Sequence, residues 1–174
     1  MQLHADIETR VAAIQGQYTD WPCRLGCDGC CKNLAAIPEL SAPEWGLLRE
    51  GLAALPADEL NDLAGQLDAL AQNPATPIQC PLLDRSNGAC RVYAHRPLAC
   101  RSYGFYLERG VGLYCKAIET RVDCGDFSEV IWGNQEALDR RSREWGVRHT
   151  LTEWFNAWLA AGFLGIPPDS SPMT

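Results

Sequence analysis

Several things are scarce in this 174-residue chain. No run of about 18 apolar residues occurs, which excludes a transmembrane helix. The first residues, Met-Gln-Leu-His-Ala-Asp-Ile-Glu, place acids where a secretory signal needs a basic start and an apolar stretch. A cytosolic, reducing setting is therefore expected. Basic side chains are outnumbered, with 15 Lys and Arg against 22 Asp and Glu, and the net charge of −7 argues against general nucleic-acid binding. There is no P-loop, no HExxH and no Ser-His-Asp arrangement, and Gly110-Val-Gly112 lacks the third glycine and the strand–helix context of a nucleotide loop. Histidine is limited to His4, His95 and His149. Only His95 lies among the cysteines, and a surface or hydrogen-bonding role is expected for it.

Cysteine is abundant instead, with nine in the chain. A reducing compartment disfavours structural disulfides, and an odd number cannot pair completely within one chain. Clustered thiols in that setting point to metal or redox chemistry. The charge is also uneven. Residues 80–121 carry seven basic side chains and three acidic ones, a local excess of +4 inside an acidic chain. That basic stretch lies among the later cysteines.

The hydrophobic pattern predicts a mainly α fold: one small helical domain over 1–166, a short β-hairpin, cysteine-rich irregular loops organised around a metal site, and a loose tail at 167–174. Leu3, Ile7, Val11, Ile14 and Tyr18 mark a helix over 3–18. Ser41-Ala-Pro-Glu44 is a capping box opening a helix over about 42–54. Pro56 starts another, with Leu60, Leu63, Leu67 and Leu70 on one face, closed by Asn73-Pro-Ala-Thr-Pro77. Asn87-Gly88 between short apolar runs predicts a hairpin within 78–93. Residues 97–127 read as irregular, apart from a short helical turn near Cys100. A helix is expected over about 128–145, and a second capping box, Thr150-Leu-Thr-Glu153, opens one to about 161. Its stripe of Leu151, Trp154, Phe155, Trp158 and Leu159 is read first as core and second as a face for a protein partner. The six tryptophans are most simply core.

The first cysteine cluster is Cys23-Arg-Leu-Gly-Cys27-Asp-Gly-Cys30-Cys31. Such spacing brings several sulfurs within reach of one ion or cluster without a long loop closure. Gly26 and Gly29 let the backbone turn sharply and approach a thiolate. The second set is Cys80, Cys90, Cys100, Cys115 and Cys124, with Cys80 and Cys90 flanking the predicted hairpin turn as in zinc ribbons. A polythiolate site is anionic, so Arg91, Arg96 and Arg101 are candidates to offset its charge; solvated surface arginines are the other reading. Cys23-x₃-Cys27 and Cys27-x₂-Cys30 both suit a zinc knuckle. The adjacent Cys30-Cys31 pair suits one mononuclear site poorly and points to a polynuclear site or to two sites sharing the segment. The spacing Cys23-x₃-Cys27-x₂-Cys30 is also that of radical-SAM enzymes. Gly29 stands where those enzymes usually carry an aromatic, and the chain shows no repeating strand–helix pattern, so that membership is rejected.

These residues resemble the bacterial cysteine-cluster family of zinc- or iron-chelating domains. The resemblance rests on Cys23-x₃-Cys27-x₂-Cys30-Cys31, then Cys80-Pro-Leu-Leu-Asp, Cys90-Arg-Val-Tyr93 and Arg96-Pro97-Leu-Ala-Cys100-Arg101, and a later single cysteine at Cys115. It covers roughly residues 21–120 and leaves Cys124 outside. It implies a metal ligand set of Cys23, Cys27, Cys30, Cys31, Cys80, Cys90, Cys100 and Cys115, with Arg96 and Arg101 behind it. Some larger relatives are flagellin lysine N-methylases thought to use an iron–sulfur cluster, but this chain is short and lacks a glycine-rich nucleotide loop, so methyl transfer is not carried over. The expected partner is a metal ion or cluster, with a protein partner in second place and neither nucleic acid nor membrane. Iron as a [4Fe–4S] cluster, with electron transfer, redox sensing or cluster-dependent catalysis as its role, is the first reading. A zinc-binding structural module or metal chaperone is the second. A thiol redox protein without stable metal is the third.

Overall fold

A computed structural model describes residues 2–72 and 77–162. Residues 73–76 of the expected helix stop, and the expected tail at 167–174, lie outside the described residues.

The chain opens with α1, Gln2–Gln17, whose Leu3, Ile7 and Ile14 are buried at the spacing read from sequence. An irregular stretch carries the first cysteine cluster and leads to β1, Glu39–Ser41, and α2, Ala42–Ala53. Glu44 secures the start of α2. Its carboxylate accepts the Ser41 amide at 3.0 Å and the Ser41 hydroxyl at 2.7 Å, which is the glutamate arm of the capping box. Fully buried, Glu44 also accepts the Leu98 amide at 3.0 Å and faces Arg148 at 3.7 Å. Next comes α3, Ala57–Gln72, with Leu60, Leu63 and Leu67 inward. The expected hairpin is present as β2, Leu83–Asp84, and β3, Ala89–Cys90, paired antiparallel. Its loop is set by Asp84, whose carboxylate accepts the Ser86 amide and hydroxyl and the Asn87 side chain. Gly88 closes that loop at φ +72°.

The stretch read as irregular holds more order than expected. After a 3₁₀ turn at Tyr93–His95 come α4, Leu98–Ser102, then β4, Tyr106–Glu108, and β5, Val111–Leu113, then α5, Lys116–Asp123. β4 and β5 form a second hairpin, turning through Arg109 and Gly110 at φ +50° and +79°. The helix expected from about 128 begins later, as α6, Gln135–Ser142, followed by a 3₁₀ turn at Arg143–Trp145. The preceding residues are held elsewhere. Gly133–Asn134 form β6, parallel to β4, and the ring of Tyr106 lies where a side chain at 133 would go. Asn134 then caps α6 by accepting the Ala137 amide at 2.8 Å. Finally β7, Arg148–Thr150, pairs antiparallel with β1 and hands the chain to α7, Leu151–Ala160, through the expected Thr150–Glu153 capping box.

The fold is therefore mainly helical, with three small sheets among the described residues where one hairpin was expected. Two buried clusters form. One gathers Leu3, Ile7, Ile14, Trp21, Phe105, Phe127 and neighbours around α1, and we call it the aromatic core. The other gathers leucines of α2 and α3 with Leu151 and Phe155 of α7, and we call it the leucine core. Trp154, Trp158 and Leu159 pack against the leucine core, so the stripe on α7 serves packing. The tryptophans join the cores as expected, but Trp21 and Trp132 do so from outside any helix. Among the described residues, no helix is long and apolar enough to cross a membrane.

Candidate metal centre

All nine cysteines carry free thiols, and the eight of the expected ligand set are half-buried while Cys124 is exposed. Two anchoring zones receive them. Cys23 and Cys115 pack on the aromatic core, and Cys80 and Cys90 pack on the leucine core. The segment 23–31 runs between the two zones.

On the first side, Cys23 follows Trp21, which is wedged between Phe105 and Phe127 at ring distances of 5.7 and 4.4 Å. The Cys23 thiol donates to the Tyr103 carbonyl at 3.8 Å. Gly104 makes room for it: at φ +91°, a side chain there would sit 3.1 Å from the Cys23 sulfur. Gly26 turns the loop at φ +86°, as expected, whereas Gly29 takes no left-handed conformation and instead faces Cys115. On the second side, the Cys80 amide donates to the Cys31 carbonyl at 2.7 Å, tying the early cluster to the hairpin. The β2–β3 ladder sets Cys90 opposite Leu83, and the Val92 amide bonds the Cys90 sulfur. α4 carries Cys100. At the junction, the Cys30 and Cys31 sulfurs are 4.0 Å apart.

Cys23, Cys30, Cys31, Cys90 and Cys100 resist ionisation. Burial, reinforced by charge on Cys27, Cys30 and Cys115, pushes Cys23 up to about 12. For Cys30 the bond with the Cys31 thiol raises the value most, followed by burial. For Cys31 the Cys30 thiol acts downward, but a bond to Cys80, burial and the charges of Cys80 and Cys90 carry it up to about 12. Burial and then Cys90 push Cys100 up to about 12. Such groups repel as free thiolates, and a bound cation removes the repulsion. The donor chemistry thus fits a thiolate-bound metal. The positions fit only in part: among the described residues, no three Cys, His, Asp or Glu side chains converge on a point that could hold an ion.

The arginines separate. Arg96 stacks its guanidinium 3.6 Å from the Tyr93 ring centroid and donates to the carbonyls of Tyr93 and Cys100. It has no carboxylate partner among the described residues, and its charge acts downward on Cys23, Cys30, Cys90 and Cys100. Arg101 is buried and engaged by Glu8 at 2.8 Å and by the carbonyls of Arg96 and Ala94, so it braces the 94–101 loop. Arg91 pairs with Asp62 on the surface at 3.4 Å. His95 packs its ring over Gly51 of α2, where a side chain would meet it at 2.7 Å.

Two residues of the region were not anticipated. Tyr103 supplies the carbonyl bonded by Cys23, and burial followed by the charges of Cys115, Cys30 and Cys23 raises its hydroxyl. Gly104 supplies the room. Their signal was proximity in sequence: both follow Cys100-Arg101 directly, in the stretch read as irregular.

No curated protein and no solved structure matches the chain. A family model does, over residues 22–124, which is more than half of the chain and ends on Cys124, beyond the limit near 120 read from sequence. That model, named for its CxxCxxCC cysteines, is described as a "putative zinc- or iron-chelating domain". The early cluster here has one more residue between its first two cysteines than that name spells. The half-buried free thiols and the matched segment coincide, and the chain belongs to the CxxCxxCC family of zinc- or iron-chelating domains.

Proposed function

We propose that the chain binds iron in the cytosol through its clustered cysteines, as an iron–sulfur cluster of the [4Fe–4S] type with a redox or catalytic role. The observation that carries this reading is the thiol set itself: eight half-buried free thiols fall within the segment that the family model matches, and the adjacent Cys30 and Cys31 sulfurs stand 4.0 Å apart. An adjacent cysteine pair suits a polynuclear centre held by thiolates better than one mononuclear ion. When bound, such a cluster supplies one-electron transfer or an iron corner for a substrate.

The chain's own groups suit an anionic centre. Arg96, without a carboxylate partner among the described residues, brings a positive charge that acts on four of the thiols. The Val92 amide bonds the Cys90 sulfur, and such bonds stabilise thiolate charge. Half-burial limits water around the sulfurs. One feature favours zinc: Cys80 precedes the β2–β3 hairpin and Cys90 lies on β3, the flanking arrangement of a zinc ribbon, and both pack on the leucine core. In that reading the metal orders the loops and the protein serves as a structural module.

Anaerobic purification decides between the two. The expected product is brown, with charge-transfer absorption and acid-labile sulfide equal to iron. A colourless protein with stoichiometric zinc overturns iron in favour of zinc. A protein with neither metal overturns both readings.

A further inference from the structure

We propose that the cavity between α4, α6 and β7 is a second binding site, separate from the thiols, that takes a small apolar α-amino acid by its ammonium and carboxylate groups. The proposal depends neither on which metal the chain holds nor on whether it holds one.

The cavity measures about 290 Å³. That is near the lower end for small-molecule sites, which run from roughly 300 to 1,000 Å³. Leu98 and Ala99 of α4 and Leu138 of α6 give it an apolar lining, and both leucines are buried. Asp139, Arg143 and Arg148 bring charge of both signs to the same walls. One buried group holds two of those walls. Glu44 accepts the Leu98 amide at 3.0 Å and faces the Arg148 guanidinium at 3.7 Å, so α4 and β7 are tied to the same carboxylate. Walls set before binding lose less freedom when the cavity is filled.

Asp139 and Arg143 carry the inference. Arg143 closes α6 in helical conformation, four positions after Asp139, the spacing at which opposite charges on a helix pair. They form no ion pair with each other, and neither meets another opposite charge among the described residues. The Asp139 carboxylate accepts the Gln135 side-chain amide at 2.8 Å on one oxygen, and its other oxygen has no partner among the described residues. Arg148 is already engaged, donating to the Glu39 carbonyl, so Arg143 is the cation left for a ligand. A molecule that satisfies both residues carries an anion and a cation a few bonds apart on a small frame. An α-amino acid has that constitution. Its carboxylate meets the planar donor pair of Arg143, its ammonium the open oxygen of Asp139, and its side chain the apolar lining. A plain acid would leave its charge beside Asp139 unmatched, and a plain amine would do the same beside Arg143.

Calorimetric titration of the full-length protein tests this, with leucine, isoleucine, valine and methionine as probes. At least one is expected to bind and to move the backbone amide resonances of Ala99 and Gly146, which line the cavity. The corresponding acid and amine (for leucine, 4-methylpentanoate and isopentylamine) should each bind at least about tenfold more weakly. Arg143 is exposed, and Asp139→Asn keeps an acceptor for Gln135, so Arg143→Gln and Asp139→Asn both leave the fold intact. Each should weaken the amino acid by about tenfold. Arg143→Gln should leave the amine unweakened, and Asp139→Asn the acid. Binding by none of the four probes, analogues that bind as well as the amino acid, or affinity unmoved by both substitutions overturns the proposal. Iron and zinc measured in the same samples keep it distinct from the thiol site. Amino-acid binding by a metal-free protein overturns chelation and leaves this site standing, and metal without amino-acid binding does the reverse.

Discussion

The leucine core is filled mainly from three regular helices, α2, α3 and α7, whose buried residues recur at helical spacing, with Leu40, Leu82 and Val92 added from outside them. The aromatic core is filled largely from turns and short elements: Trp21 and Phe127 lie outside any helix, Phe105 precedes β4, and Ile118 is the single buried residue of α5. In the first, an amphipathic helix carries its own instruction about what to bury. In the second, each ring finds its place only when the others are present, as in the contacts of Trp21 with Phe105, Phe127, Tyr18 and Trp132. The cysteine segments lie where these two modes of construction meet. Bound metal would therefore add most to the region that local helix formation supports least.

The sharpest way to break this comparison is to open one core. Phe155 of α7 is fully buried beside Trp158, at a ring distance of 5.6 Å. Phe155→Ala should cost about 4 kcal/mol, read by urea unfolding. If the cores are independent, the indole resonance of Trp154, bonded to the Leu40 carbonyl at 2.8 Å, should broaden or shift while that of Trp21 persists. Simultaneous loss of both would show one cooperative unit and end the distinction.

A smaller effect is expected at the tie between them. Glu44 belongs to α2 and accepts the amide of Leu98, which lies in the aromatic core. Glu44→Ala strands the Leu98 and Ser41 amides, at about 2–3 kcal/mol by thermal or urea unfolding. Amide exchange at Leu98 should accelerate in this variant by well over tenfold. Unchanged exchange there would mean that the tie is not shared.

The same contrast explains what the sequence revealed. α1, α2, α3 and α7 were legible because their leucines and isoleucines repeat and because Ser41-x-x-Glu44 and Thr150-x-x-Glu153 announce helix starts. The β2–β3 hairpin was legible from Asn87-Gly88. β4 and β5 were not, because they are three residues each and turn on Arg109, a residue type that gives no warning of a left-handed conformation. α5 hid because one buried isoleucine makes no period. The late start of α6 follows from β6 pairing with β4, a tertiary contact with no local signature. For the site, the thiols were evident from spacing. The distinct surroundings of Arg96 and Arg101 were not, since the partner of Arg101 is Glu8, 93 positions away.

The smallest effect concerns two helix caps, one on each side. α6 is capped by the Asn134 side chain and α7 by Thr150 with Glu153. At pH 7, Asn134→Ala and Thr150→Ala should each cost about 1 kcal/mol. Only the second device titrates. Hydrogen bonds from the Thr150 hydroxyl and then its amide hold the Glu153 carboxyl below its usual value. A depressed folded value means that the contribution is complete above the unfolded carboxyl value, about 4.3, and is lost as pH falls through the folded one. Measured against wild type at each pH, the cost of Thr150→Ala should therefore shrink below about pH 4.3 as Glu153 takes up its proton. The cost of Asn134→Ala should stay level over the same range, because an amide neither gains nor loses charge there. Parallel pH profiles for the two variants would show that the glutamate arm adds nothing to the cap of α7.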